Sequence, residues 1–82
     1  MIKMKFLIAA RNVLGFDQDE VAKSLGVARE TISRIERGMI KSEKIRMRMI
    51  GEYQDAGAHF ILPDDSEIPD GEGFIIKSEK KT

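Results

Sequence analysis

Three arginines lie near the middle of this 82-residue chain, beside a segment with helical periodicity. Ile32 and Ile35 follow a three-residue apolar step, which is typical of a helix with one buried side. The opposite side is polar and free to meet a partner, and it carries Arg29, Glu30, Ser33, Arg34 and Arg37. Guanidinium groups donate paired hydrogen bonds to the edges of nucleic-acid bases and to phosphate, so this pattern points to nucleic acid.

A second short helix is predicted immediately before this one. Apolar residues recur at helical intervals from Val21 to Leu25, and Gly26 then interrupts them. Asp17 followed three residues later by Glu20 forms a capping-box pattern, which predicts that the helix begins after Asp17. Gly26 can adopt a positive φ at no steric cost, as a chain needs when it leaves one helix and enters the next at a steep angle. Two helices joined in this way are how many proteins place one helix in the major groove of DNA.

Residues 18–38 resemble the helix-turn-helix of the phage-repressor and Cro-like superfamily, also called the XRE family, and the resemblance extends over about residues 5–60. It rests on Gln18, Ala22, Gly26, Val27, Ile32, Ile35, Glu36 and Gly38 at these intervals. The resemblance implies a mainly α fold with a small β tail, a lambda-repressor-like bundle of about four helices followed by a C-terminal β-hairpin or strand pair. A helical hairpin that only packs a core is the alternative, and the exposed arginines favour DNA binding over it.

The same resemblance implies roles for particular side chains. The residues expected to contact bases are Ala28, Arg29, Glu30, Ser33 and Arg34. The residues expected to contact phosphate are Gln18, Arg37, Lys41 and Lys44, and Gln18 is also expected to brace the recognition helix. Arginine donates to guanine and glutamate accepts from cytosine, so a G·C-containing half-site is expected. Glu30 could equally serve to orient Arg29 or Arg34, and both interpretations remain open.

Two further expectations concern how the recognition helix is held. Family members pair an arginine of the first helix with a glutamate near the end of the recognition helix, which here implies a structural salt bridge between Arg11 and Glu36. The family commonly has Ser or Thr immediately before Arg29, where the side chain caps the helix. This chain has Ala28 there, which cannot form the cap, so we expect a loss of about 1 kcal/mol in stability.

Two more helices are predicted on either side of the motif. The first spans about residues 3–14 and is closed by Gly15, with an apolar stripe formed by Phe6, Leu7, Ala10, Val13 and Leu14. The other is capped by Ser42 and runs to about Ala56, before Gly57. Its expected inward residues are Ile45, Met49 and Tyr53, with Ile50 and Ala56 as further candidates.

Two residue types in the last helix allow alternatives. Met47 and Met49 could form an adaptable binding surface, but methionine at helical spacing is more often core, which is our expectation. Gly51 lies in mid-helix, so it either admits close packing against another helix or marks a bend.

The periodicity changes after Gly57. Residues 58–62 and 73–77 are apolar runs that predict two short strands joined by an acidic loop. They resemble the tail of small Cro-like regulators, which often contributes to dimerisation, so we prefer a dimerising tail over a hairpin used within one chain. The predicted organisation is a DNA-binding domain at 1–57, a dimerising hairpin at 58–77 and a flexible tail at 78–82.

Charge is divided between the two parts of a chain that is neutral overall. Residues 1–50 contain 11 Lys and Arg against 6 acidic residues, and residues 51–82 contain 3 against 8. The basic part should face phosphate, and the acidic part should lie away from the duplex or bind another protein. Two functions follow: a dimeric transcription repressor on a short palindromic operator, or an antitoxin or other protein-binding module whose acidic C-terminal part engages a partner.

Other classes of function find little support in the sequence. There is no cysteine, and we find no signal peptide or membrane-spanning run, so a cytoplasmic location is expected. His59 has no second histidine to share a metal. The acidic residues Asp64, Asp65, Glu67, Asp70 and Glu72 do not follow a calcium-loop order. We therefore expect no enzyme and no cofactor, with double-stranded DNA and a second copy of the chain as partners.

Overall fold

The computed structural model describes residues 2–61 and 73–76. Over these ranges the order of elements is α1 (Met4–Leu14), α2 (Gln18–Leu25), α3 (Arg29–Glu36), α4 (Glu43–Asp55), β1 (Ala58–Ile61) and β2 (Gly73–Ile76). The two strands form one antiparallel sheet. This confirms the predicted fold class, a mainly α helix-turn-helix bundle followed by a β pair. None of the helices in the described ranges is long and apolar enough to cross a bilayer.

The helix ends follow from local sequence signals. Asp17 Oδ1 accepts a hydrogen bond from the Glu20 amide at 2.8 Å, and Glu20 Oε1 accepts one from the Asp17 amide at 2.8 Å. This is the predicted capping box of α2. Gly26 ends α2 with φ 73°, and the Ser42 hydroxyl caps α4 by accepting from the Ile45 amide. The left-handed conformation of Gly26 therefore begins the turn between α2 and α3.

The core lies where the four helices meet the inner side of the sheet. Its buried apolar residues are Leu7, Ala10, Val21, Ala22, Leu25, Ile32, Ile35, Met49, Tyr53, Ala58 and Phe60. The partly buried Val27, Ile45 and Ile50 pack against this cluster. Every element therefore contributes to one core, and α3 contributes only through Ile32 and Ile35.

Three residues expected to face inward are exposed instead. In α1 the buried Arg11 shares the inward side with Leu7 and Ala10, and this turns Val13 outward, with 62% of its surface accessible. In α4 the inward side is set by Met49 and Tyr53. Met47 lies about 200° around the helix from Met49, so it is 57% exposed and the expectation that it is core was wrong. Ala56 is exposed because it is the C-cap, where the chain already turns away.

Gly51 is not explained by packing within the described part of the chain. A Cβ atom built on this residue would have no neighbouring atom within 4 Å. Within the described residues, therefore, no other helix packs closely against Gly51, and the two interpretations given to it, close packing or a bend, stay predictions. A glycine in a helix interior costs about 1 kcal/mol relative to alanine, and no contact inside the described chain offsets this cost.

The strands pair within one chain. Ala58 pairs with Ile76 and Phe60 with Phe74, whose ring centroids are 6.1 Å apart. Ala58 and Phe60 are buried while His59 between them is exposed, as strand alternation requires. The sheet packs on α1 and α4. The ends of the two predicted strands, the acidic loop between them and the tail at 78–82 lie outside the described residues.

Candidate nucleic-acid interface

The outer side of α3 is exposed and polar. Arg29, Glu30 and Arg34 are all exposed there, and Ser33 is half-buried. The opposite side is closed by Ile32 and Ile35, which are 0% and 3% exposed. Because α3 has eight residues and buries only these two, its outer side presents Arg29, Glu30 and Arg34 together to solvent.

Ala28 occupies the N-cap position of α3. It has the extended conformation of an N-cap residue, with φ −74° and ψ 146°, but no side chain that can bond the first turn. The Thr31 amide bonds the backbone carbonyl of Ala28 at 3.0 Å. The exposed methyl group of Ala28 thus lies beside Arg29 at the start of the helix, where the sequence placed a possible thymine contact.

The other end of α3 is held by a buried ion pair. Arg11 Nε donates to Glu36 Oε2 at 2.7 Å, and Arg11 Nη2 donates to Glu36 Oε1 at 3.0 Å. Gln18 Nε2 donates to the same Oε1 at 3.0 Å. The Arg11 and Glu36 side chains are 10% and 4% exposed. The structure therefore brings together the two residues expected to pair and adds the expected brace from Gln18.

The sequence did not predict the second role of Arg11. Its Nη1 donates to the Phe16 carbonyl at 2.9 Å, which ties α1 to the turn that leads into α2. The hydrogen bond to Glu36 raises the pKa of the Arg11 guanidinium above its ordinary value, although burial acts in the opposite direction. Arg11 stays charged and connects the ends of α1 and α3 and the start of α2. A positive φ at Gly15 turns the chain at this point, and that was the available sequence signal.

Glu30 and Arg34 form an ion pair one helical turn apart. Arg34 Nη2 donates to Glu30 Oε2 at 2.8 Å, and the two side chains are 47% and 67% exposed, Arg34 first. Of the two interpretations given to Glu30, the free chain shows the contact in which it orients Arg34. Arg29 is exposed on the same side, and its side chain forms no hydrogen bond or ion pair with another described residue.

The expected phosphate contacts surround the recognition helix. Arg37, Lys41 and Lys44 are exposed and extend from the end of α3 to the first turn of α4. Gln18 is half-buried, and its amide nitrogen is engaged with Glu36. Positive charge thus continues along the chain from the arginines of α3 to the start of α4, as suits a surface that meets a phosphate backbone.

The described ranges contain no candidate metal-binding site. No group of three or more His, Asp or Glu side chains there is close enough to hold an ion. His59 is exposed on β1 in register with Ile75. The five acidic residues of the predicted loop lie outside the described residues.

Comparison with known families identifies the motif. A family model described as helix-turn-helix matches residues 7–45, which cover most of α1, all of α2 and α3, and the start of α4. No curated protein and no solved structure was found to match the chain. The match confirms the resemblance drawn from the sequence. Residues 7–45 therefore match a helix-turn-helix of the XRE type, a motif found in DNA-binding transcription regulators.

Proposed function

We propose that the chain is a sequence-specific transcription regulator that binds double-stranded DNA as a homodimer and represses transcription from a short palindromic operator. The observation that carries this proposal is the exposed arginine side of α3, together with the buried Arg11 and Glu36 pair that holds the far end of the same helix. A helix fixed at one end and polar on its outer side is suited to enter a groove without rearranging the protein.

The N-terminal half of α3 makes the base contacts in this proposal. The major groove of B-DNA is about 12 Å wide and admits one helix. Arg29 and Arg34 donate paired hydrogen bonds to guanine O6 and N7, and Ala28 and Ser33 lie beside them to contact a thymine methyl group or a phosphate. Glu30 keeps Arg34 extended toward the groove or accepts from cytosine N4. An exposed pair of this kind contributes only about 0.3–0.5 kcal/mol, so Arg34 can exchange it for a base at little cost.

The surrounding cations supply affinity that does not depend on sequence. Arg37, Lys41 and Lys44 neutralise phosphates and release counterions, so binding weakens as salt is raised. Gln18 contributes a phosphate contact and keeps the recognition helix in place through Glu36. Two copies related by a two-fold axis then present recognition helices about 34 Å apart to successive major grooves. A dimer bound across a promoter represses by excluding RNA polymerase.

The experiment is a binding titration with DNA from upstream of the chain's own gene and with random DNA, each at several salt concentrations. We expect selective binding that weakens with salt. Arg29→Ala and Arg34→Ala should each reduce the preference for the selected site by about 1–3 kcal/mol. Arg37→Ala is the matched control, because loss of a phosphate contact should weaken binding to both DNAs equally and lower the salt slope by about 1.

The outcome that contradicts this proposal is binding to the upstream DNA that is no tighter than binding to random DNA. The chain would then act as a protein-binding module of the antitoxin kind.

A further inference from the structure

The outward side of α4 has no partner in the described chain. We call it the α4 face, and it consists of Lys44, Met47, Arg48, Gly51, Gln54 and Asp55. These positions lie within about 120° of arc on an ideal helix, opposite Met49 and Tyr53. All of them except Gly51 are exposed. Since this helix spans about 20 Å, the face is a narrow strip with one large apolar side chain near its middle.

Two residues at the centre of this strip are unexplained by the fold. Met47 leaves 57% of its surface in water. Gly51, one turn further along, weakens the helix, and a Cβ atom there would meet nothing within 4 Å. The Met47 side chain therefore protrudes from the helix surface one turn before Gly51, where the surface has a gap because glycine has no side chain. No part of the described chain occupies this gap, which we call the hole at Gly51.

The two charges at the ends of the strip, Lys44 and Asp55, run against the helix dipole, while Arg48 lies between them. Lys44 lies in the first turn and Asp55 is the last residue of α4, and there is no basic residue in the last turn. Cations are favoured at the C-terminal end of a helix and anions at the N-terminal end, so both placements are unfavourable for an isolated α4. Neither residue forms an ion pair or hydrogen bond with another described residue. A second α4 running in the opposite direction would supply the missing opposite charge at each end.

We propose that the α4 faces of two copies pack antiparallel about a two-fold axis, with Met47 of each copy over the partner's Gly51. When Met47 faces the partner's Gly51, antiparallel geometry places Lys44 beside the partner's Asp55, and the same contacts repeat by symmetry. In this dimer Lys44 serves the interface, so the phosphate contacts at this end of the proposed DNA surface fall to Arg37 and Lys41. The glycine lets the two backbones approach closely, and the methionine fills the space above it. The occupant of this surface is therefore a second copy of the chain.

This inference rests on the proposed function in one respect: it names the surface through which the proposed homodimer forms. The C-terminal hairpin was the surface expected from the sequence. Its buried residues Ala58 and Phe60, however, are used in the core of their own chain. A single pair of helices this short buries less than the 1,200 Å² or so of a stable interface. Association should therefore be weak without DNA and be reinforced when both copies bind one operator.

The test is sedimentation equilibrium of the full chain without DNA, from micromolar to millimolar concentration. We expect a reversible dimer. Gly51→Leu fills the hole and should weaken dimerisation by roughly tenfold or more, while raising the melting temperature of the dilute monomer. Val13→Glu is the matched control, because Val13 is equally exposed but lies on α1, and it should leave dimerisation unchanged.

A charge exchange tests the antiparallel arrangement itself. Lys44→Glu and Asp55→Lys should each weaken dimerisation by placing like charges opposite one another, and the double variant should restore it. Each single change improves the charge at its own helix end, so loss of the dimer cannot be assigned to unfolding.

Two results would overturn the proposed α4 interface. Neither would bear on whether the chain is a DNA-binding regulator, which the DNA titration tests. If Gly51→Leu and both charge variants dimerise like the parent chain, the dimer uses another surface, such as the hairpin. If the parent chain is monomeric at millimolar concentration, no such surface exists. In either case the DNA titration of Arg29→Ala and Arg34→Ala decides separately whether the chain is a sequence-specific regulator.

Discussion

The buried pair between Arg11 and Glu36 gives the sharpest prediction for stability. Glu36→Gln keeps the shape of the side chain and removes its charge. The Glu36 carboxylate accepts three hydrogen bonds, two from Arg11 and one from Gln18, and only 4% of its side chain is exposed. The substitution leaves the mostly buried Arg11 guanidinium without a counter-charge. The amide oxygen of the new side chain and the Phe16 carbonyl can still accept from it, but the amide NH2 group is a donor placed among the donors of Arg11 and Gln18.

The expected magnitude follows from this burial. Removing one partner of a buried ion pair costs about 3–5 kcal/mol, because the other charge stays buried without compensation. A chain of this size has a total stability of about 4–12 kcal/mol, so the substitution removes a large share of it. We expect Glu36→Gln to lower the free energy of unfolding by about 3 kcal/mol and the melting temperature by about 12 °C or more.

The assay is urea denaturation followed by far-ultraviolet circular dichroism, in a double-mutant cycle. Arg11→Met alone should destabilise to a similar degree, and Arg11→Met combined with Glu36→Gln should cost clearly less than the sum of the two single changes. Lys23→Gln is the control, because Lys23 and Asp19 form an exposed pair at 3.3 Å whose loss should cost at most about 0.5 kcal/mol. A loss for Glu36→Gln as small as that of Lys23→Gln would refute the reasoning.

Three further predictions concern single residues in the same framework. Ala28→Ser should add the missing cap of α3 and raise stability by about 1 kcal/mol in thermal unfolding, and an unchanged or lower melting temperature would show that the first turn gains nothing from a hydroxyl. Ser42→Ala should have the opposite effect on α4, with a loss of about 1 kcal/mol by the same measurement, and an unchanged value would mean that the bond to Ile45 is replaced by water. Burial, and then the charge of Glu36, raise the pKa of Tyr53 well above its ordinary 10.0, so the folded chain keeps a proton that the unfolded chain loses. Stability should therefore be complete below about pH 10 and fall as the pH rises above it, and Tyr53→Phe should remove most of that fall in urea titrations; an identical decline in both proteins would contradict the assignment.

Most of the fold was predictable because the residues that begin and end its helices act through local hydrogen bonds and backbone conformation. The capping box at Asp17 and Glu20, the positive φ of Gly26 and the cap at Ser42 all depend on residues within four positions of one another. Such signals survive in any tertiary context, so helix starts and stops could be placed closely. The pairing of Arg11 with Glu36 spans 25 positions, and only the family resemblance made it foreseeable.

The errors share one cause, which is that periodicity alone does not fix which side of a helix turns inward. The stripe predicted for α1 assumed that only apolar residues face the core, whereas Arg11 occupies part of that side and displaces Val13. Met47 was assigned to the core by its residue type, although Met49 already filled the inward position. The roles of individual side chains on DNA depend on a partner, and they remain predictions for the binding experiments.

The uneven fixation of α3 has an evolutionary consequence. The helix is fastened at its last residue by side chains from two other helices, while the residues that would touch bases contribute almost nothing to the core. Exchanging Arg29, Glu30 or Arg34 should therefore alter the preferred operator without threatening folding. New target sites can then arise by single substitutions on an unchanged scaffold, which makes this chain a practical starting point for selecting binders to chosen sequences.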